Sequence, residues 1–333
     1  MIEDVKIIFV VAPSGCGKSF TGDYLSLLHD FHHVDGDFPI KHCHVVKYQQ
    51  MVYNMFKDGV LNTIRKQEDG PTELWQPYLD EIVQLTLDAA TAATTTSDTI
   101  VLTFASYRQT YRNYVVTKLV KGGVLRKNIT VLQLTINLDV KLEGLYHRSK
   151  RQIEESGMTI GDVMRLHGWE GEGEISCAEY IECKKKIDPI AGNDDIFQDL
   201  PQGYGKMVDV SGRDMTHLDG VDEALGIVGK RNKNKSLTFD EIREKVQALD
   251  VQRDKEWIAK GGQEIIDNYL KEIMEDGTDD GGGNDTEEQS RRRSSLASVE
   301  YEMQRASLGS TNDENTNKIR NARRTSLIKT GKI

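Results

Sequence analysis

Through the first 230 residues, apolar positions gather in short β-branched runs separated by longer amphipathic stretches. Lys6-Ile7-Ile8-Phe9-Val10-Val11 is continuous rather than alternating, the pattern of a parallel strand covered on both faces. A helix is predicted to follow from Lys18 to about Asp30, and His33-Val34 offers a short second strand. Thr99 to Phe104 (TIVLTF) is a third strand, followed by a helix over Tyr107–Lys121. Ile129 to Leu138 (ITVLQLTINL) is a fourth, leading into a helix over Val140–Arg151. Met207-Val208-Asp209-Val210 is a fifth, with a last helix after Asp219. Strands alternating with helices predict a parallel α/β sheet, because parallel neighbours need helical crossovers. Leu237–Met274 predicts a helical extension whose apolar positions (Ile242, Val246, Leu249, then Ile265, Ile266, Leu270, Ile273) suit packing on the main domain.

The pattern ends at Asp276. Of the last 58 residues only seven are Leu, Ile, Val or Phe, too few for burial to offset chain entropy. This predicts three regions: a domain over 1–230, a helical extension over 231–275 and a disordered tail over 276–333. Ten acidic and ten basic residues cancel in the tail, so the net charge of −10 belongs to residues 1–275. An acidic domain is a poor surface for nucleic acid or anionic membrane. The longest apolar stretch, Ile7 to Ala12, is far short of the roughly 20 residues that a spanning helix needs. Glu3 and Asp4 stand where an export signal carries positive charge, and four cysteines without close pairing read as reduced thiols, so a cytoplasmic protein is expected.

Candidate chemistry begins between the first strand and the first helix. Ala12-Pro13-Ser14-Gly15-Cys16-Gly17-Lys18-Ser19 ends in the G-K-[ST] of a phosphate loop, with Ala12 at the usual opening glycine. Gly15 and Gly17 let backbone N–H groups turn toward phosphate oxygens, and the helix N-terminus adds a favourable dipole. Lys18 is predicted to contact the β- and γ-phosphates and the Ser19 hydroxyl to ligate Mg²⁺. The expected ligand is ATP with Mg²⁺, held by Pro13, Ser14, Gly15, Cys16, Gly17, Lys18, Ser19 and Phe20. No N-K-x-D guanine signature is present, and the third strand ends in Phe104-Ala105-Ser106 without an aspartate.

Val34-Asp35-Gly36-Asp37 follows Lys18 by about 16 residues, at the end of the second strand. With this motif the chain resembles the gluconokinase and shikimate-kinase group of small-molecule kinases. Trp75-Gln76-Pro77-Tyr78-Leu79 resembles the group's Pro-Trp-Leu segment. Ala105-Ser106-Tyr107-Arg108 with Tyr111-Arg112-Asn113 resembles its Ser-Ala-Leu-Lys and following Tyr-Arg-Asp. Leu142 to Arg151 resembles the helix leading into its lid. The resemblance covers residues 5–230 and implies a three-layer P-loop α/β sandwich that transfers a phosphoryl group from ATP to a small-molecule hydroxyl. It implies that Asp35 or Asp37 orients or deprotonates the acceptor hydroxyl. Arg108 and Arg112, four apart, are then candidates for an anionic substrate, and Arg148 and Arg151 for the transferring phosphoryl, reached from a lid over about 152–175. This chain departs from the group's pattern in having Phe38-Pro39-Ile40-Lys41-His42 where the group has His-Pro, in lacking the arginine before Pro-Trp-Leu, and in a longer segment from Asp37 to Trp75. A nucleoside monophosphate kinase and a non-catalytic ATP-binding signalling module are the alternatives.

Weaker signals resolve to structural roles. His32, His33, His42, Cys43 and His44 fit no zinc spacing, and Cys16 reads as a small residue in a tight loop. Asp276 to Glu287 approaches a calcium loop, but Gly283 stands at its apolar position, so it reads as an acidic linker. The tail repeats Arg-x-Ser-Leu at Ser295, Ser307 and Ser326, which resembles the substrate motif of basophilic protein kinases and nominates such a kinase as a partner.

Overall fold

The computed structural model describes residues 2–37, 71–92, 98–153, 159–166, 169–188, 192, 197–228 and 237–257. The near-calcium loop, the tail serines, and His42, Cys43 and His44 lie outside these residues. The described residues divide into two compact units: those up to Leu145 with Cys177–Leu249, and those within Tyr146–Ser176 with 250–257. None of the described helices is long and apolar enough to cross a membrane.

The first unit is built on five parallel strands, β1 (Lys6–Val11), β2 (His32–Asp35), β3 (Thr99–Phe104), β4 (Ile129–Thr135) and β5 (Lys206–Asp209), in the order β2-β3-β1-β4-β5. Its helices are α1 (Lys18–His29), α2 (Thr72–Ala92), α3 (Gln109–Lys121), the start of α4 (Leu138–Ile153), α6 (Cys177–Ile187), α7 (Met215–Leu225) and most of α8 (Phe239–Trp257); α5 (Ile160–Leu166) belongs to the second unit. Every predicted strand is present. The two-residue period of a strand sorts β1 between two cores. Ile7, Phe9 and Val11 pack with Tyr78, Leu79 and Ile82 of α2 and with Tyr111, Val115 and Leu119 of α3. Ile8 and Val10 face the other side, with Tyr24, Leu25 and Leu28 of α1, Leu218 and Val221 of α7, and Ile242 and Val246 of α8. This is the three-layer sandwich that the sequence implies, and each fully covered β1 side chain contributes roughly 1.5–3 kcal/mol through burial.

Several boundaries move. The fourth strand stops at Thr135, because Asn137 turns the chain and its side chain accepts from the amides of Asp139 and Val140 at the start of α4. The last helix of the sheet domain starts at Met215, capped by Asp214, whose carboxylate accepts from the Thr216 amide at 2.8 Å. The 21-residue α2 carries Pro77 in its first turns. The extension helix α8 opens on a reciprocal cap between Thr238 and Glu241.

In the second unit, α5 is likewise capped by Thr159 and Asp162. Arg165 bonds Asp162 and the carbonyls of Gly171 and Gly173, and Tyr146 donates to the Ile175 carbonyl. Among its described residues, Tyr146, Ile160, Met164 and Ile175 are buried hydrophobics.

Candidate functional site

Parallel strands aim all their carboxyl ends at one edge of the sheet, and loops at that edge form the sites of open α/β folds. The register sets the level of each loop. Thr103 of β3 lies beside Val10 of β1 on one side and Asp35 of β2 on the other. The phosphate loop after Val11, the Asp35-Gly36-Asp37 turn and the Ser106-Tyr107 turn therefore leave the sheet at one height.

Gly15 and Gly17 adopt φ of 88° and 82°, left-handed values that side chains resist. Gly17 is the N-cap of α1, so the loop delivers its amides directly into the helix start. Lys18, the first helical residue, is 7% exposed, and its ammonium donates to the Pro13 carbonyl at 3.0 Å, which keeps the charge inside the loop. Ser19 and Phe20 are half-buried just beyond it, and Cys16 is buried, as a small residue in a tight loop would be. A Cβ on Gly15 would lie 3.1 Å from Leu145 and 3.3 Å from Lys141, so the first turns of α4 cover that side of the loop.

Asp35 closes β2, and its carboxylate accepts from the Asp37 amide at 3.0 Å, a turn held by its own side chain. Between them Gly36 is wedged in place. Its amide donates to the Thr103 carbonyl at 2.7 Å, Tyr78 donates to its carbonyl at 2.6 Å, and any Cβ would strike Thr103 and Phe104. The backbone of the turn is thus fixed to β3 and α2, and both aspartates are half-buried.

The turn after β3 carries a residue whose role the sequence reading missed. Tyr107 is buried and its hydroxyl accepts from the Ser14 amide at 3.3 Å, tying this turn to the phosphate loop. Burial pushes its pKa up to about 12, so the phenol keeps its proton. Arg112 corrects an expectation. Expected beside Arg108 as a group for an anionic substrate, it is wholly buried. Its guanidinium donates to the carbonyls of Ser106 (2.9 Å) and Tyr107 (3.2 Å) and stacks 4.3 Å over the Phe197 ring. Burial lowers its pKa to about 10, which still leaves it charged at neutral pH. Arg112 thus positions the turn that holds Ser14, while Arg108 stands half-buried as the N-cap of α3.

On the other side of the loop, the start of α7 brings His217 to α1. His217 is buried and shares a hydrogen bond of 3.1 Å with Thr21, and its ring lies 3.7 Å from where a Gly17 Cβ would be. Burial and the Arg213 charge lower its pKa to about 4. Between that value and the ordinary 6.5 the unfolded chain binds the proton and the folded chain does not, so stability falls as pH drops through this window. We expect the protein to lose about 2–3 kcal/mol from this residue between pH 7 and pH 4.5. Urea unfolding at both pH values should show the loss in the parent and not in His217→Gln; equal losses would refute it.

Other predicted residues have different places. His33 pairs with Asp23 at 2.8 Å and Thr103 at 3.0 Å, a structural pair filling the space beside Gly22. Arg148 and Arg151 lie on the part of α4 that belongs to the second unit.

No family model matches the chain, and no curated protein does. Among solved structures it is similar to a gluconokinase from Sinorhizobium meliloti 1021, at 13% identity over 75% of this chain and 98% of that one, with a TM-score of 0.36. It is similar to a sugar kinase from Janibacter sp. HTCC2649, at 13% identity over 67% and 96%, with a TM-score of 0.35. A shikimate kinase from Acinetobacter baumannii, solved in complex with shikimate, is 15% identical over 68% and 97%, with a TM-score of 0.30. Strand order and loop geometry, independent of these likenesses, make this chain a three-layer α/β fold with a phosphate loop on its central strand, and the solved structures to which it is similar are small-molecule kinases.

Proposed function

We propose that this protein transfers the γ-phosphoryl group of ATP to a hydroxyl of a small molecule, with a sugar acid as the first candidate acceptor. The observation that carries this reading is the shared level of the phosphate loop and the Asp35–Asp37 turn at the carboxyl edge, with β3 alone between their strands. A phosphate cradle and two aspartates on an anchored turn at one edge match the two ends of an in-line transfer. The acceptor oxygen forms the new bond to phosphorus, the bond from phosphorus to the β–γ bridging oxygen breaks, and the acceptor proton passes to Asp35 or Asp37. Lys18 would offset charge on the transferring group. The residues fit Mg²⁺ in so far as Ser19 is half-buried at the helix start, where its hydroxyl would hold the ion. The bound ion supplies charge neutralisation at the phosphates.

ADP release measured with ATP and Mg²⁺ tests the reading across three acceptor panels: sugar acids, cyclic hydroxy acids such as shikimate, and nucleoside monophosphates. Turnover with a hydroxy acid supports it, and turnover with monophosphates alone makes the protein a nucleotide kinase. ATP binding without any stimulated turnover replaces catalysis by a binding-module role.

A further inference from the structure

We propose that Arg213 is a phosphate-binding residue of this site, a second cation that holds the nucleotide together with Lys18. The inference rests on nucleoside triphosphate binding at the loop, and it concerns a residue that neither the motif nor the resemblance nominates.

The placement comes from α4. Lys141 is the surface neighbour of Gly144, three residues on, and of Leu145, four residues on. Lys141 and Leu145 lie against Gly15 of the phosphate loop. Gly144, on the flank of Lys141 away from Leu145, faces the Arg213 guanidinium, and a Cβ built there would land on Nη1, Nη2 and Cζ. The guanidinium therefore sits beside the part of α4 that covers the loop. Its charge acts on Cys16 within the loop and on His217 at the start of α1.

Arg213 is held in a conformation that folding alone disfavours, with a φ of 48°, left-handed for a long side chain, while Gly144 is a helix-interior glycine whose missing side chain makes room for it. Residues kept in such states gather at ligand sites. Glu143, an exposed carboxylate on the same turn of α4, attracts the guanidinium, and a bound phosphate would compete with it. His217, with its depressed pKa, is neutral above about pH 5 and adds no competing charge. The position also selects the nucleotide rather than the acceptor. β5, which leads into Arg213, is at the sheet edge opposite β2 with its Asp35. A planar guanidinium there matches phosphate oxygens in a way that an ammonium does not.

The experiment measures binding of ATP, ADP and adenosine with Mg²⁺ by calorimetry, using the full chain. Arg213→Gln should weaken ATP and ADP about 10–100-fold and leave adenosine unchanged, the loss expected for charge-assisted hydrogen bonds to phosphate. Gly144→Ala, a helix-favouring change that displaces the guanidinium, should reproduce the loss. It should add little in the Arg213→Gln background, because the two residues act as one unit. Circular dichroism confirms that each variant folds. Unchanged ATP affinity in Arg213→Gln, or equal weakening of adenosine, overturns the assignment. If the parent itself binds no ATP, the phosphate-loop reading fails and takes this inference with it. If Lys18→Ala loses ATP while Arg213→Gln keeps it, only this inference fails.

Discussion

Lys18→Ala is expected to lower phosphoryl transfer by at least about 10²–10³-fold, the usual loss when a preorganised charge donor facing the developing charge is removed. The effect is large because the lysine is already confined. Its stem is buried and its ammonium is held by the Pro13 carbonyl, so no chain ordering remains to be done when phosphate arrives. Little of the fold depends on it, since the cores on both faces of β1 are assembled from other residues. ADP release under saturating acceptor, together with a melting curve, separates the two effects. A variant that melts like the parent and retains turnover within about tenfold would remove Lys18 from the site.

Arg112→Ala should be the most destabilising of the site substitutions, by about 3–5 kcal/mol. Each hydrogen bond from a charged donor contributes roughly 1.5–3 kcal/mol, and two carbonyls would be left buried without this donor. At about 2–4 °C of melting temperature per kcal/mol for a domain of this size, the shift is about 10 °C. Arg112→Met, which keeps most of the volume and the contact with Phe197, should lose less, dividing the cavity cost from the hydrogen-bond cost. Both variants should also weaken ATP binding, because the Tyr107 hydroxyl that meets the Ser14 amide loses its support. A melting temperature within about 2 °C of the parent would show that the interior bonds carry no weight. Arg112→Lys should not rescue, since one ammonium cannot reproduce the guanidinium fork.

Legibility differed between the two halves of the site. The phosphate loop was readable because its requirements are local: two glycines with positive φ, a lysine and a hydroxyl at a strand-to-helix junction. The Asp35-Gly36-Asp37 turn was readable as a motif. That Gly36 must be glycine follows only from the approach of Thr103 and Phe104, nearly 70 residues later. The helix Thr72–Ala92 escaped a pattern reading because Pro77 interrupts its first turns. Arg108 and Arg112 show the limit of periodicity. A spacing of four defines a face, but the sequence does not say which face points outward. In α3 the buried stripe is Tyr111, Val115 and Leu119 with Val116, and Arg112 falls within it.

By itself, then, the sequence determined what depends on near neighbours in the chain. Strand runs, helix caps, the glycine-lysine loop and the apolar-poor tail all express φ preferences, side-chain periods and burial capacity that a window of a dozen residues contains. Tertiary structure alone decided which distant groups meet: Tyr107 with Ser14, His217 with Thr21, and Arg213 in the space that Gly144 leaves open. These contacts join residues separated by 69 to 196 positions. They exist because the strand order β2-β3-β1-β4-β5 gathers the loops at one edge, and that order is set by the packing of helices on both faces of the sheet.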